Sequence, residues 1–307
     1  MQWKHTNFRT KNAVATRRRC LVLQSITTVN NYEYLFAWYF GQDASLHYEV
    51  RPTGIVSTIP SDAEEYSPYG TRVAPGVIAS NHQHLFCLRM DPAIDGRKNS
   101  LVVGESHPLP VNDPHVYNPL GVGYVNVSNT VTRETGLDLD FQAGRVFKVV
   151  NESVKNPTTG TPVGYKLLPQ PSQLLLAHPS SYHARRSEFG EHAIWVTRYH
   201  DQELYASGPW TVQSAGGEGI ASWIKQRANS DASDVKDQDI VIWHTFGITH
   251  NPRIEDWPVM PCEKLTVGLM PVNFFSGNPA LDVVISTQET NKSVLVDGDA
   301  NCCTNRS

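Results

Sequence analysis

Two histidines separated by one residue are the first side chains in this sequence with the spacing of a chelating pair. They are His82 and His84, which flank Gln83. Successive side chains of a β-strand point to opposite faces, so residues two apart share one face. Two imidazoles on one face can bind the same metal ion, and nitrogen ligands favour copper or zinc. The pair therefore predicts a metal site, against the alternative of two ordinary histidines on a polar strand face.

A third ligand has to come from a distant part of the chain. Of the 12 histidines, His250 has the richest local context, Thr249-His250-Asn251-Pro252-Arg253. Only the fold can bring it near His82 and His84. His244 follows a tryptophan, and we interpret it as a side chain at a strand end rather than as a ligand.

The second feature whose side chains could take part in chemistry is a polar interruption in an apolar, aromatic stretch. It reads Asn30-Asn31-Tyr32-Glu33-Tyr34 and is preceded by Thr28-Val29. From residue types alone, this segment predicts a turn or bulge with buried tyrosines.

Taken together, these segments resemble the copper amine oxidases. The cofactor motif of that family, Asn-Tyr-Asp/Glu, is similar to Asn31-Tyr32-Glu33, and the copper pair His82-Gln83-His84 follows Tyr32 by 50 residues, at the family spacing. The segment around His250 continues as in the family, through Ile254-Glu255-Asp256-Trp257-Pro258. Further matches lie at residues 118–124, 195–197 and 271–275, and the resemblance extends to about residue 295.

The resemblance implies a copper and quinone site. His82, His84 and His250 would bind Cu(II), and Tyr32 would be the precursor of topaquinone, which copper and O2 make from the tyrosine ring. The quinone carbonyl would form a Schiff base with a primary amine, a form of covalent catalysis. Asn31 would restrain the orientation of the quinone ring, and Glu33 would complete the motif. The products would be an aldehyde, ammonia and hydrogen peroxide.

The family also has a second metal site, usually taken by calcium. The matching positions are the carboxylates of Asp91 and Asp239 and the backbone oxygens of Pro92 and Ile240. Oxygen ligands suit a hard cation. Ala93 stands where the family has a further carboxylate.

The elements that must position these residues are predicted to be strands. The 21 glycines and 20 prolines disfavour long helices, and closely spaced strand signals favour an all-β fold with a large β-sandwich. Strands are expected near residues 34–40, 46–51, 239–243 and 265–272, a helix at 219–228, a weaker helix around Arg185, and a long loop at 105–120.

We expect a single catalytic domain at residues 1–295, incomplete at its N-terminus, and a flexible tail at 296–307. The family domain begins well upstream of the cofactor tyrosine, and no position here matches its general-base aspartate. Two alternatives therefore stay open. One is a catalytically inactive, truncated copper-binding β-sandwich, and the other is a β-rich copper or zinc protein without a quinone.

Composition excludes several other classes of protein. A hydrophobic content of 40% and a charged content of 18% are typical of a folded chain rather than a disordered one. The net charge of −4 gives no reason to expect nucleic-acid binding, and no apolar run approaches the roughly 18 residues of a membrane span. Cys20, Cys87 and Cys262 have apolar neighbours and are predicted to be reduced core thiols.

The expected partners are a primary amine, O2 and a second copy of the chain in a homodimer, as the resemblance implies. No signal-peptide core is visible, and the last residues, Asn305-Arg306-Ser307, are not a peroxisomal signal. We expect an intracellular protein and leave its compartment, cytoplasmic or peroxisomal, open.

Overall fold

Short strands dominate the computed structural model, which describes residues 1–62, 66–210 and 212–286. The strands are β1 (Lys4–Thr6), β2 (Ala13–Ala15), β3 (Cys20–Val29), β4 (Tyr32–Gly41), β5 (Leu46–Ile55), β6 (Thr58–Pro60), β7 (Gly70–Ala74), β8 (Val77–Ser80), β9 (His82–Met90), β10 (Ser100–Pro108), β11 (Tyr124–Thr130), β12 (Thr135–Leu137), β13 (Val146–Lys155), β14 (Pro162–Leu168), β15 (Ile194–Arg198), β16 (Ile240–His250), β17 (Val259–Met260) and β18 (Leu265–Val272). The α-helices are α1 (Tyr182–Arg186) and α2 (Ile220–Arg227), and 3₁₀-helices cover Glu188–Glu191, Asp231–Ser233 and Ile254–Asp256.

Two antiparallel sheets form the body of the fold. The larger has nine strands in the order β11-β10-β13-β14-β18-β5-β4-β3, with β17 added to β5. The smaller has four strands in the order β12-β15-β16-β9. A two-stranded sheet, β1-β2, and a three-stranded sheet, β6-β8-β7, complete the described strands.

The main hydrophobic core lies between the two large sheets. Strand alternation explains which side chains reach it, because every second residue of a strand faces the same side. From β9, the inward-facing Phe86, Leu88 and Met90 pack against buried Phe246 and Ile242 of β16. The larger sheet contributes fully or nearly fully buried apolar residues, including Val50, Leu101, Phe147, Val149, Leu167 and Val267. The predicted all-β sandwich is confirmed.

Several predicted elements agree closely with the structure. The strand expected at 265–272 is β18, the helix expected at 219–228 is α2, and the weak helix around Arg185 is α1. The strand expected at 239–243 is longer than predicted, because β16 continues to His250. The loop expected at 105–120 starts later than predicted, because β10 runs to Pro108 while it pairs with β11.

Two predictions about single side chains were wrong. His244 lies in the middle of β16 rather than at a strand end, and it is fully buried. Cys262 is exposed rather than in the core, because it follows the two-residue strand β17 at the periphery of the large sheet. Cys20 and Cys87 are both half-buried.

Two further predictions concern the ends and surface of the chain. Residues 296–307, predicted to be a tail, lie outside the described residues. In the part of the chain that the structure describes, no helix is both long and apolar enough to span a membrane.

Candidate active site

The pairing of β9 with β16 brings the three predicted ligands together. His82, the first residue of β9, lies opposite His250, the last residue of β16, and His84 lies opposite Ile248. In each strand these positions alternate with the outward-facing ones, so the three imidazoles share the inner face. One ligand atom from each histidine lies within 4.8 Å of the others. Among the described residues, this is the only group of three or more His, Cys, Asp or Glu side chains with such convergence.

A glycine allows the two strands to approach closely beside the ligands. A Cβ atom added to Gly247 would collide with the carbonyl oxygen of His84. A larger residue at this position would push β16 away from β9, and with it His250 away from the pair. The segment Phe246-Gly247-Ile248 therefore helps to set the distance between the ligands.

Hydrogen bonds orient the imidazoles. His82 Nδ1 lies 2.7 Å from the carbonyl oxygen of Ser80, which can only accept, so Nδ1–H donates and Nε2 carries the lone pair. His250 Nε2 lies 3.1 Å from the Asp256 carboxylate, which can only accept, so Nε2–H donates and Nδ1 faces the cluster. The two inward-facing nitrogens, His82 Nε2 and His250 Nδ1, are 3.4 Å apart.

His84 completes the nitrogen set. The hydroxyl of Tyr34 lies 2.7 Å from His84 Nδ1, which leaves Nε2 available to a metal. Burial, and then the neighbouring His82 and His250, lower the pKa of His84 to about 4. Burial also lowers the pKa of His82. The imidazoles of His82 and His84 are therefore neutral near pH 7, as metal ligands must be, and a set of imidazole nitrogens suits copper.

Asp256 is the partner of His250 that motif recognition left without a role. It is 4% exposed and accepts from the backbone N–H of Arg253 at 3.0 Å, which closes the 3₁₀ turn Ile254–Asp256. Burial alone would raise the pKa of Asp256, but the bonds from Arg253 and His250 outweigh it and lower the pKa. The spacing Arg253-x-x-Asp256 could have indicated a capping carboxylate, and the fold directs that carboxylate at His250.

Tyr32 points at the histidine cluster. Only Asn30 and Asn31 separate Val29 from Tyr32, which pair across the β3-β4 hairpin. Asn30 has φ 55°, a left-handed conformation that asparagine tolerates better than most residues. The buried Tyr32 hydroxyl accepts from the backbone N–H of Ser57 at 3.1 Å and lies 3.0 Å from His82 Nε2.

The two tyrosines of the hairpin match the two histidines of β9. Tyr32 and Tyr34 are two residues apart on one strand, and their hydroxyls reach His82 and His84 respectively. Strand alternation contained a signal for Tyr34, because it shares a face with Tyr32. Sequence reasoning assigned it no role.

The other two residues of the cofactor motif hold the hairpin. The backbone oxygen of Asn31 accepts from the N–H of Ile55 on β5 at 2.9 Å, and Glu33 accepts from the Thr28 hydroxyl at 2.8 Å. A cavity of about 190 Å³ adjoins this region and is lined by Tyr32, His84, His250, Arg253, Asp256 and Met260, among others.

The residues predicted to bind calcium lie at the other end of the same strand pair. Met90 pairs with Ile242, so Asp91, Pro92, Asp239 and Ile240 lie at neighbouring strand ends. The carboxylates have arginine partners: Asp91 lies 3.3 Å from Arg89, and Asp239 lies 3.5 Å from Arg97. The calcium site stays a prediction.

Comparison with known proteins identifies the family. A family model described as copper amine oxidase, enzyme domain, matches residues 1–290. The chain belongs to the copper amine oxidase family. Copper amine oxidase 1 of Aspergillus niger is 48% identical over 304 residues, an alignment that covers 99% of this chain and 44% of that protein. A peroxisomal primary amine oxidase of Pichia angusta is 38% identical over 305 residues, covering 95% of this chain and 43% of that protein.

A solved copper amine oxidase has the same fold. The crystal structure of a copper-containing benzylamine oxidase from Hansenula polymorpha aligns with a TM-score of 0.88 and 41% identity, over 93% of this chain and 44% of that one. The chain thus spans less than half the length of these relatives. Copper is the metal that family membership implies, and the histidine cluster has the nitrogen donors that copper favours.

Proposed function

We propose that this chain is the catalytic region of a copper-dependent primary-amine oxidase, which converts a primary amine and O2 into an aldehyde, ammonia and hydrogen peroxide. The observation that carries the proposal is the contact between the Tyr32 hydroxyl and His82 Nε2, at 3.0 Å, within the cluster of His82, His84 and His250. Self-processing of a tyrosine requires that its ring lie against the metal site.

In this proposal, His82, His84 and His250 hold Cu(II). When bound, copper would supply, with O2, the oxidation of the Tyr32 ring to topaquinone, and the quinone would supply the carbonyl chemistry toward a primary amine. The protein's contribution is to orient the ring. The Ser57 N–H fixes the Tyr32 hydroxyl, and the ring lies 4.9 Å from that of His84, centroid to centroid, in an edge-on arrangement. The ring is buried, which limits access of water to it.

Asn31 and Glu33 flank Tyr32 and hold the turn that carries it in this proposal. Asn31 precedes the ring in the two-residue turn and restrains its orientation. Glu33, held by Thr28, fixes the other end of the turn. Gly54 lies so close that an added Cβ would be 2.5 Å from the Asn31 oxygen, so the turn is clamped against β5. Abstraction of a proton from the bound amine needs a base, and no residue of this chain is assigned to that role.

Aerobic copper loading tests the proposal. Purified chain is loaded with Cu(II) in air, its copper is quantified, and a quinone redox-cycling stain is applied. We expect about one copper per chain and a positive stain. Tyr32→Phe should keep the copper and lose the stain, whereas Tyr39→Phe, the same change on the same strand, should keep both. His250→Ala should lose the copper, because two ligands bind more weakly than three.

Two outcomes contradict the assignment. One is copper without a quinone signal after aerobic loading of the wild-type chain, and the other is a stain that persists in Tyr32→Phe. Hydrogen peroxide release on addition of a primary amine then tests turnover separately from cofactor formation. No observation in the described residues favours the inactive alternative.

Three further properties stay predictions. They are calcium at Asp91 and Asp239, a homodimer, and an intracellular location. Large apolar side chains are exposed between residues 111 and 124, including Tyr117, Leu120 and Val122, and such patches are typical of interaction surfaces. Relatives named as peroxisomal are compatible with the expected location.

A further inference from the structure

A loop after β14 lies against the ends of β9 and β16 that carry His82, His84 and His250. We call residues 170–176 the strap. Strand β15 pairs with β16 only as far as His244, so the last part of β16 lacks a strand neighbour on that side among the described residues. The strap occupies this edge: the Ser172 hydroxyl accepts from the backbone N–H of Gly247 at 3.0 Å. The strap therefore lies where a neighbouring strand would pair with this part of β16, and it satisfies the Gly247 N–H.

Gln83 and Thr249 connect the strap to both ligand strands. They are paired across β9 and β16, between the His82–His250 pair and the His84–Ile248 pair. Because neighbours on a strand alternate in direction, Gln83 and Thr249 lie on the face opposite the imidazoles. Their side chains are hydrogen-bonded to each other at 2.9 Å.

Both side chains also bond to the strap. The Gln83 amide donates to the carbonyl oxygen of Leu174 at 3.1 Å, and its oxygen accepts from the N–H of Leu176 at 2.8 Å. The Thr249 hydroxyl donates to the Gln173 side chain at 2.9 Å. Both N–H donors and the oxygen of the Gln83 amide are thus engaged.

The strap is itself fixed to the rest of the sandwich. The backbone N–H of Gln170 donates to Nε2 of the buried His244 at 2.9 Å, and the Gln170 side chain accepts from the N–H of Thr266 on β18 at 3.0 Å. The strap is therefore anchored to both large sheets. Because the strap is held by bonds to other parts of the fold, its own bonds to Gln83 and Thr249 restrict the movement of these two side chains.

The position of the ligands makes such an anchor important. His82 is the first residue of β9 and His250 the last of β16, and strand ends have fewer hydrogen bonds to hold them. Metal affinity depends on how well the ligands are held in place before binding, because disorder lost on binding weakens it. We propose that Gln83 and Thr249 are positioning residues that, through the strap, hold His82, His84 and His250 converged for the metal. This inference rests on the proposed copper site.

Copper titration of matched variants tests it. Gln83→Met keeps the side-chain length but removes the amide, and Thr249→Val keeps the shape but removes the hydroxyl. We expect each to weaken Cu(II) binding by about tenfold, as changes next to ligands do. We also expect a broader distribution of Cu(II) hyperfine couplings in electron paramagnetic resonance. Thr249→Ser keeps the hydroxyl and should restore the wild-type values, and the exposed Gln142→Met is the control.

The outcomes separate positioning from general stabilisation. Loss of unfolding free energy in the metal-free variants, with unchanged copper affinity and an unchanged spectrum, overturns the inference. The copper affinity of the double variant is then compared with the sum of the two single losses. A double loss that differs clearly from this sum supports the inference, because the two side chains share one network. If Gln83→Met does not fold, Thr249→Val and Thr249→Ser decide the question by themselves. Wild-type chain that binds no copper refutes the copper site, and this inference with it.

Discussion

The carboxylate of Asp256 offers the sharpest test of the proposed copper site. In Asp256→Asn, the charge is removed while shape and capping ability are kept, because asparagine caps helical turns about as well as aspartate. In the wild-type chain, the Asp256 carboxylate accepts from His250 Nε2 at 3.1 Å and so turns Nδ1 of that ring toward His82. Loss of the charge weakens that bond by about half.

The expected magnitude follows from this arrangement. Partners that orient a ligating histidine typically contribute about 10–100-fold to metal affinity. We therefore expect the dissociation constant for Cu(II) to rise by about 10–100-fold in Asp256→Asn, equivalent to about 1.4–2.7 kcal/mol. The free energy of unfolding of the metal-free chain should change by less than about 1 kcal/mol, because the capping bond to Arg253 survives.

The assay is a competition titration with a chelator of known copper affinity. Asp140→Asn is the matched control, since Asp140, like Asp256, accepts hydrogen bonds from the backbone. Its donors are the N–H groups of Gln142 and Ala143, both at 2.9 Å. It belongs to no metal cluster among the described residues. If Asp256→Asn and Asp140→Asn both bind copper as tightly as wild type, the carboxylate does not set the orientation of His250 and the reasoning is refuted.

Two further predictions concern buried groups. Burial lowers the pKa of His244 from 6.5 to about 4, so its neutral form stabilises the fold fully above pH 6.5 and this contribution is lost as the pH falls towards 4. The free energy of unfolding should thus fall more steeply over this range in wild type than in His244→Gln, by up to about 3 kcal/mol in urea titrations, and parallel curves would contradict the assignment. Burial raises the pKa of Cys87 to about 12, whereas Cys262 is exposed. Iodoacetamide should therefore label Cys262 and spare Cys87 in the folded chain, as peptide mass spectrometry would show, and labelling of Cys87 before denaturation would argue against its burial.

Features that depend on local pattern were predictable from the sequence. The period-two alternation of β9 puts His82 and His84 on one face whatever the rest of the chain does, and β18 and α2 were located from their own residues. A turn or bulge before Tyr32 was likewise expected from its polar residues, and the structure has a two-residue turn there. The third ligand was not: residue types left His250 one candidate among several, and only the motif around it, through the family resemblance, selected it.

The errors have a common physical cause. Cys262 has apolar neighbours in sequence, as a core residue would, but β17 is a two-residue strand at the periphery of the large sheet. His244 was predicted to lie at a strand end because β16 was expected to stop near Trp243. Its burial between the Ala193 carbonyl and the Gln170 N–H depends on two segments far away in the chain.

The residue types and local patterns of the chain already contain the chemistry of the site: three nitrogen donors, a phenol and the strands that carry them. Their convergence depends on the tertiary structure, because the register of β9 against β16 places His250 opposite His82 and the β3-β4 hairpin directs Tyr32 at His82. The tertiary structure also decided which neighbours orient them, namely Tyr34, Asp256 and Gln83. Alternation along a strand is a property of the local backbone, whereas strand pairing is set by burial over the whole chain, so no short segment encodes it.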